Sequence, residues 1–109
     1  MGDVFKSKFA TLTTTNTLYY TAQPTGSAIV THLQVANYCT SSNNEVSVYV
    51  SSSNGLFALA EFLVVPYKSA VGILTGQLIL SGSDQIWAKC SSSTAPNRLD
   101  LTIGTVEHG

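Results

Sequence analysis

Charged side chains are scarce in this sequence. Only 10 % of its 109 residues are Asp, Glu, Lys or Arg, and the formal net charge is -1, whereas a typical soluble domain is about 25 % charged. Intrinsic disorder requires low hydrophobicity and high net charge, and a chain that is 44 % hydrophobic has neither. Five basic residues give no basic excess, so we expect no nucleic-acid partner.

Long apolar runs and helical patterns are also missing. No run approaches the roughly 18 apolar residues that a membrane-spanning helix needs, so we expect no membrane partner. The N-terminal residues are followed by no hydrophobic region, and we therefore expect no signal peptide. No stretch of ten or more residues repeats apolar residues with the period of an amphipathic helix.

The chain has two cysteines, Cys39 and Cys90. No CxxC motif or His/Cys cluster accompanies them, so a zinc site is not expected. Two alternatives remain. The absence of an export signal favours two buried, reduced thiols at strand ends, and a disulfide would be possible if the protein were secreted.

What the sequence does contain is Ser, Thr and short runs of β-forming residues. It has 14 serines and 13 threonines. About eight apolar or alternating runs, rich in Val, Ile, Leu, Thr and Tyr, are separated by clusters of Ser, Asn, Gly and Pro, which is typical of short strands joined by turns. The predicted strands are 9–14, 17–22, 28–36, 45–51, 56–65, 72–80, 85–90 and 98–107.

These strands predict an all-β fold, an antiparallel β-sandwich or jelly-roll-like domain of about eight short strands. The pairing should be antiparallel because the short loops cannot supply the crossovers that parallel strands need. We expect one domain over residues 9–109, preceded by an N-terminal arm over residues 1–8.

Strict alternation predicts which side chains enter the core. In strand 28–36 it places Leu33 and Val35 on one face and Val30 on the other, so that Val30 is expected to face outward. In strand 45–51 the valines are expected inward, with Ser47 and Tyr49 outward.

The sequence has few residues suited to catalysis. His32 lies in the middle of a predicted strand and His108 next to the C-terminus, and no GxSxG motif is present. No carboxylates have the spacing of a metal-binding loop, and Asp84 fits a turn that binds nearby backbone N–H groups. We therefore expect no enzymatic activity, no cofactor and no metal site.

Two side chains in the predicted strands are candidates for contact with a partner. Trp87 should face outward between Gln85 and Lys89, either as a binding or interface anchor or half-buried against a neighbouring strand. Glu61 interrupts an apolar strand. It either protects an edge strand from aggregation or pairs with a cation across a subunit interface.

The N-terminal residues supply the remaining candidates. Phe5, Lys6, Lys8 and Phe9 precede the well-patterned region, and we expect the arm to order on a neighbouring subunit. The candidate interface residues are Phe5, Lys6, Phe9, Glu61 and Trp87.

Five segments of strand-like and turn-like sequence follow one another along the chain. They are TLYYTAQPTGSAIV (17–30), LQVANYCTSS (33–42), VSVYV (46–50), SGSDQIWAKCSS (81–92) and LTIGTVE (101–107). In this order they resemble a group of small structural proteins from tailed-bacteriophage virions. The Gly-Asp pair of that group is here split by Ser83, and Gln23 stands before Pro24 in the first turn. The resemblance implies a β-sandwich component of the particle.

The resemblance implies a non-enzymatic role, either as a capsid decoration (cement) protein that stabilises the head lattice or as a tail, neck, baseplate or fibre component. The implied partners are further copies of the chain, the major capsid protein, or tail and neck proteins. The implied location is the virion, after synthesis in the host cytoplasm. A different class, a glycan- or receptor-binding module that uses Trp87 and the tyrosines, stays open.

Overall fold

The structure, a computed structural model, describes residues 4–74, 76–94 and 96–108. Each segment it assigns is a β-strand, and no helix long and apolar enough to cross a bilayer occurs within those ranges. The strands are β1 (Val4–Thr11), β2 (Thr17–Thr21), β3 (Ser27–Asn37), β4 (Asn44–Ser52), β5 (Gly55–Val65), β6 (Ala70–Gly72), β7 (Leu78–Ser81), β8 (Gln85–Cys90) and β9 (Leu99–His108).

The strands form two antiparallel sheets. Sheet A has the order β1-β9-β3-β6, and β7 also pairs with β3; sheet B has the order β2-β8-β4-β5. Each sheet interleaves strands from the two ends of the chain, which is the strand order of a jelly roll. The predicted all-β antiparallel sandwich is therefore confirmed.

The core lies between the inner faces of the two sheets. β8 and β9 alternate buried and half-exposed residues with the period of 2 expected of a strand that covers a core on one face only. Valines 46, 48 and 50 are buried, as the alternation of β4 predicts. The largest fully buried side chains include Leu12, Leu80, Ile86, Leu99, Leu101 and Ile103.

Val30 corrects the alternation predicted for β3. The pairing of β3 with β9 shifts register between Val30 and His32, and this β-bulge inserts one extra residue. The faces therefore exchange within the strand, so that Val30 is completely buried on the same side as Leu33 and Val35. The prediction that Val30 faces outward is wrong.

Ser47 is also buried, with 2 % of its surface exposed, although strict alternation placed it outward with Tyr49. β5 has register shifts opposite β4 on both sides of Val48. The irregular β5 brings the backbone N–H of Phe62 to Ser47, whose Oγ accepts its hydrogen bond at 3.0 Å. This contact covers Ser47.

The predicted strand 72–80 is divided into two. β6 pairs with β3 at Gln34–Ala36, and β7 pairs with the same edge of β3 at Ser27–Val30. Between them Ile73 and Leu74 are partly buried against the core. The chain leaves the sheet there to pack these two side chains, which the local apolar pattern did not reveal.

β1 begins five residues earlier and ends three residues earlier than the predicted strand 9–14. It pairs with β9 without a bulge from Val4 to Thr11, whereas Leu12 leaves the strand and is buried. Residues 4–8 of the predicted arm thus form the first part of this strand, and residues 1–3 lie outside the described residues. The ordering of residues 1–8 on a neighbouring subunit stays a prediction.

Candidate functional site

The outer face of sheet A carries a continuous row of apolar side chains. Phe5 of β1 lies opposite Val106 of β9, Val106 lies opposite Ile29 of β3, and Ile29 lies opposite Ile79 of β7. Opposite residues in antiparallel strands point to the same face and have Cβ atoms about 5 Å apart. These four side chains are called the apolar row below.

Two side chains of the apolar row are strongly exposed, whereas Ile29 and Val106 are half-buried. Phe5 is 80 % exposed and Ile79 is 71 % exposed, and Phe9 on the same face is 72 % exposed. Among the described residues, no other large hydrophobic side chain is more exposed than any of these three. Single exposed hydrophobic residues are ordinary, whereas here apolar side chains of four paired strands share one face.

The outer face of sheet B carries a second, more polar row. Leu18 of β2 lies opposite Trp87 of β8, Trp87 opposite Tyr49 of β4, and Tyr49 opposite Ala58 of β5. Trp87 is half-buried and faces outward as predicted. Its Nε1–H donates to Oε1 of Gln85 at 3.0 Å, so its polar atom is satisfied within the chain.

Glu61 lies on β5, at the edge of sheet B. Its carboxylate accepts a hydrogen bond from the Tyr49 hydroxyl at 3.3 Å. Next to it, Phe62 has a positive φ of 53°, and the ammonium of Lys89 lies 5.9 Å from its ring centroid. Bulges and charged residues discourage unwanted pairing at a sheet edge, so the β5 edge has the features of a protected edge.

A polar cluster joins the two sheets near the start of β1. The buried carboxylate of Glu107 accepts a hydrogen bond from the Tyr20 hydroxyl at 2.5 Å and lies 3.0 Å from the ammonium of Lys6. The hydrogen bond from Tyr20, followed by that from Lys6, lowers the pKa of Glu107. Burial and then the hydrogen bond to Glu107 raise the pKa of Tyr20 to about 12.

An open cleft of about 430 Å³ lies at the other end of the sandwich. Its walls include Leu12, Tyr38, Cys39 and Arg98, and the guanidinium of Arg98 lies 4.7 Å from the ring centroid of Tyr38. A backbone hydrogen bond at Ser41 lowers the pKa of the Cys39 thiol.

Both cysteines are free and buried, in agreement with the first of the two alternatives set out above. Cys90 belongs to the core cluster, and burial raises the pKa of its thiol. The two thiols therefore differ in their surroundings, since Cys39 lines the cleft.

Within the ranges that the structure describes, no group of three or more His, Cys, Asp or Glu side chains could hold a metal ion. His32 is exposed on the outer face of sheet A.

The structure distributes the five candidate interface residues over three places. Phe5 and Phe9 share the outer face of sheet A, whereas Lys6 points inward to Glu107. Trp87 and Glu61 belong to the outer face of sheet B, where both contact other side chains of that face.

Sequence reasoning missed the partners of Phe5 in the apolar row. Ile79 lies between Leu78 and Leu80, so its alternation with Leu80 could have placed it outward. Its alignment with Val106 and Ile29 depends on pairing between distant strands, which no local pattern reveals.

No family model matches the chain, and no curated protein matches it. Among solved structures, a protein from Bacillus endospore appendages, described as a novel family of disulfide-linked pili, is 13 % identical with a TM-score of 0.53; the match covers 98 % of this chain and 86 % of that one. A protein of infectious bursal disease virus, Gx strain, is 11 % identical with a TM-score of 0.37 over 97 % of this chain and 31 % of that one. The likeness to the pilus protein concerns the fold alone.

Proposed function

We propose that this chain is a non-enzymatic structural protein of a bacteriophage virion that decorates the capsid and stabilises the head lattice. In this role it binds the major capsid protein and further copies of itself. It bridges neighbouring capsomers, and the added interface opposes expansion of the shell under internal pressure. No chemical step is involved, because the lattice is stabilised by the contact area buried between the proteins.

The observation that carries this proposal is the low charge of a surface rich in exposed apolar side chains. The apolar row crosses sheet A, and a second row with Trp87 and Tyr49 crosses sheet B. Covering such surfaces desolvates few charges, so association does not incur the large cost of burying unpaired ions. Serine and threonine hydroxyls, which act as both donors and acceptors, readily find partners in an interface.

The resemblance to phage virion proteins supports the same proposal. Its segments fall on β2 with the start of β3, the end of β3, β4, β8 and β9. The jelly-roll order is also the architecture of many viral capsid domains. The similar fold of the appendage protein adds that a sandwich of this size can serve in an assembled fibre.

Copy number in purified particles tests the proposal. Quantitative mass spectrometry against the major capsid protein should find hundreds of copies of a decoration protein per particle. A handful of copies would instead assign the chain to the tail, neck, baseplate or fibre, which is the second candidate role. Absence from purified particles would overturn both assignments.

A glycan- or receptor-binding module is the alternative from another class. It draws support from the half-exposed indole of Trp87 beside Tyr49, because aromatic faces bind sugar rings. Glycan-array binding that disappears in Trp87→Ala but persists in Phe57→Ala, an aromatic control on β5, would support this alternative. Absence of glycan binding by the unaltered protein would exclude it.

A further inference from the structure

The outer face of sheet A differs from the outer face of sheet B in its charge. Along the paired positions of β1, β9, β3, β6 and β7 that face outward, Asp100 is the single Asp, Glu, Lys or Arg among the described residues. Asp100 already binds Arg98 at 2.9 Å, and it lies at the opposite end of β9 from Val106. The apolar row therefore lies in a nearly uncharged field.

The outer face of sheet B also exposes apolar side chains, among them Leu18, Leu56 and Val64, but it carries more charge. Lys89 and Glu45 face outward from β8 and β4, and Glu61 accepts the hydrogen bond of the Tyr49 hydroxyl. The polar atoms of Trp87 and Tyr49 are bound within the chain. A partner on this face would have to desolvate several charges, and a partner on sheet A would not.

We propose that the outer face of sheet A binds the outer face of sheet A of a second copy, related by a two-fold axis. Self-pairing suits this face because it brings together two weakly charged surfaces, each crossed by the apolar row, and an isologous contact requires a patch that complements itself. This inference rests on the self-association part of the proposed function.

The available area agrees with a weak but specific contact. Four strand positions about 4.8 Å apart and ten residues of about 3.3 Å each give a face of roughly 600 Å² per copy. Two such faces reach the lower limit of specific interfaces, about 1,200 Å² in total. Repetition in an assembly would strengthen a contact of this size.

Pairing of two β1 edges is a less favourable route to a dimer. An antiparallel β1–β1 pair centred on Ser7 would place Lys6 of each copy opposite Lys8 of the other on the same face. Like charges directly opposite each other destabilise paired strands. Such a pair would also leave Ile79, on the far side of the sheet, uncovered.

Sedimentation velocity over a concentration series, with the intact chain and Ile79→Lys, tests the proposal. We expect a monomer–dimer equilibrium for the unaltered chain and at least about a 100-fold weaker association for Ile79→Lys, because the two-fold axis places two unpaired ammonium groups in one interface. Leu56→Lys is the matched control, since Leu56 is 58 % exposed on β5 of sheet B. The dissociation constant of the Leu56→Lys dimer should equal that of the unaltered chain. Thermal unfolding of each variant checks that it is folded.

Concentration-dependent methyl spectra provide the second measurement, and they do not rely on a variant. Signals of Ile29, Ile79 and Val106 should shift with concentration, whereas those of β5 and β8 should not. Two results would overturn the assignment of the dimer contact to sheet A while leaving the proposed virion function intact. One is a set of shifts confined to β5 or β8. The other is a dimer that persists in Ile79→Lys and is lost in Leu56→Lys. A chain that stays monomeric at every concentration would overturn self-association. If the Ile79→Lys variant of such a monomeric chain were absent from purified particles, the apolar row would bind the major capsid protein instead.

Discussion

The hydroxyl of Tyr20 donates a hydrogen bond to Oε2 of Glu107 at 2.5 Å and so connects the two sheets. Tyr20 lies on β2 of sheet B, and Glu107 lies on β9 of sheet A. Lys6 on β1 adds a third strand to the same carboxylate. A buried carboxylate is costly unless it is paired and hydrogen-bonded, and this one has both kinds of partner.

Removal of the Tyr20 hydroxyl should destabilise the fold. Tyr20→Phe keeps the ring and removes the donor, and hydrogen bonds to charged groups are worth about 1.5–3 kcal/mol. Urea unfolding should show a loss of that size. Tyr67→Phe, at an exposed tyrosine, is the control and should change the free energy of unfolding little. Equal losses in both variants would contradict the role of the Tyr20–Glu107 bond.

Acid should remove the stability that Glu107 contributes. Its pKa is lowered in the folded state from an ordinary value of 4.5, so the contribution is complete above pH 4.5 and is lost as the pH falls through the folded value. Glu107→Gln should therefore be less stable than the unaltered chain at neutral pH, and the difference should shrink in acid. Urea unfolding at a series of pH values measures this, with Glu45→Gln as control. A difference that is independent of pH would contradict the assignment.

Alkali should reveal the raised pKa of Tyr20. Its pKa is raised from 10.0 to about 12, so the neutral phenol is favoured in the folded state. The stability that this gives is complete below pH 10 and is lost as the pH rises toward 12. Spectroscopic titration of the phenolates should contain a late step that is absent from Tyr20→Phe. The same late step in that variant would assign it to another tyrosine.

Asn37 should be essential for the end of β3. Its Nδ2–H₂ donates to the carbonyls of Ser42 at 3.0 Å and Val65 at 2.9 Å, and its Oδ1 accepts from the N–H of Cys39 at 2.9 Å. Asn37→Ala leaves these backbone groups without partners, at a cost of about 2–4 kcal/mol. Chemical unfolding measures the loss. Asn16→Ala, in an exposed loop, should be close to neutral, and a comparable loss there would argue against a specific effect.

Thiol reagents should modify Cys39 before Cys90. Both thiols are buried, with 2 % of Cys39 and 4 % of Cys90 exposed, but the pKa of Cys39 is lowered by a backbone hydrogen bond at Ser41, whereas burial raises the pKa of Cys90. The thiolate is the reactive form, so labelling of the native protein should be faster at Cys39. Peptide mapping of partly labelled protein identifies the site, and Cys39→Ser should slow the overall reaction. Faster labelling at Cys90 would contradict this order.

Local patterns predicted most of the strands but not their partners. The runs at β2, β4, β5, β8 and β9 alternate or are uniformly apolar, and each was predicted to within two residues of its bounds. β1 was misplaced because residues 1–8 precede the well-patterned region and were predicted to form an arm. Lys6 is instead held by Glu107, which is 101 positions away in the chain. An ion pair over that separation leaves no local signal.

The candidate surface was predicted in part. Phe5, Phe9 and Trp87 were expected to contact partners, and the structure places all three on outer faces. Ile79 was not singled out, because residues 72–80 were predicted to form one strand, with Gly76 as a possible bulge. The structure divides this segment, since β6 and β7 pair with separate parts of β3. That division sets the register which aligns Ile79 with Ile29.

The all-β class, the antiparallel pairing and the shortage of charge follow from the amino-acid sequence alone, since they depend on composition, the period of 2 and the length of the loops. Which face each apolar residue occupies depends on the pairing of distant strands. The bulge after Val30 reverses the faces of β3 and moves that side chain from the surface to the core. The apolar row exists because four strands distant in sequence meet in one register, and register depends on hydrogen bonds between strands.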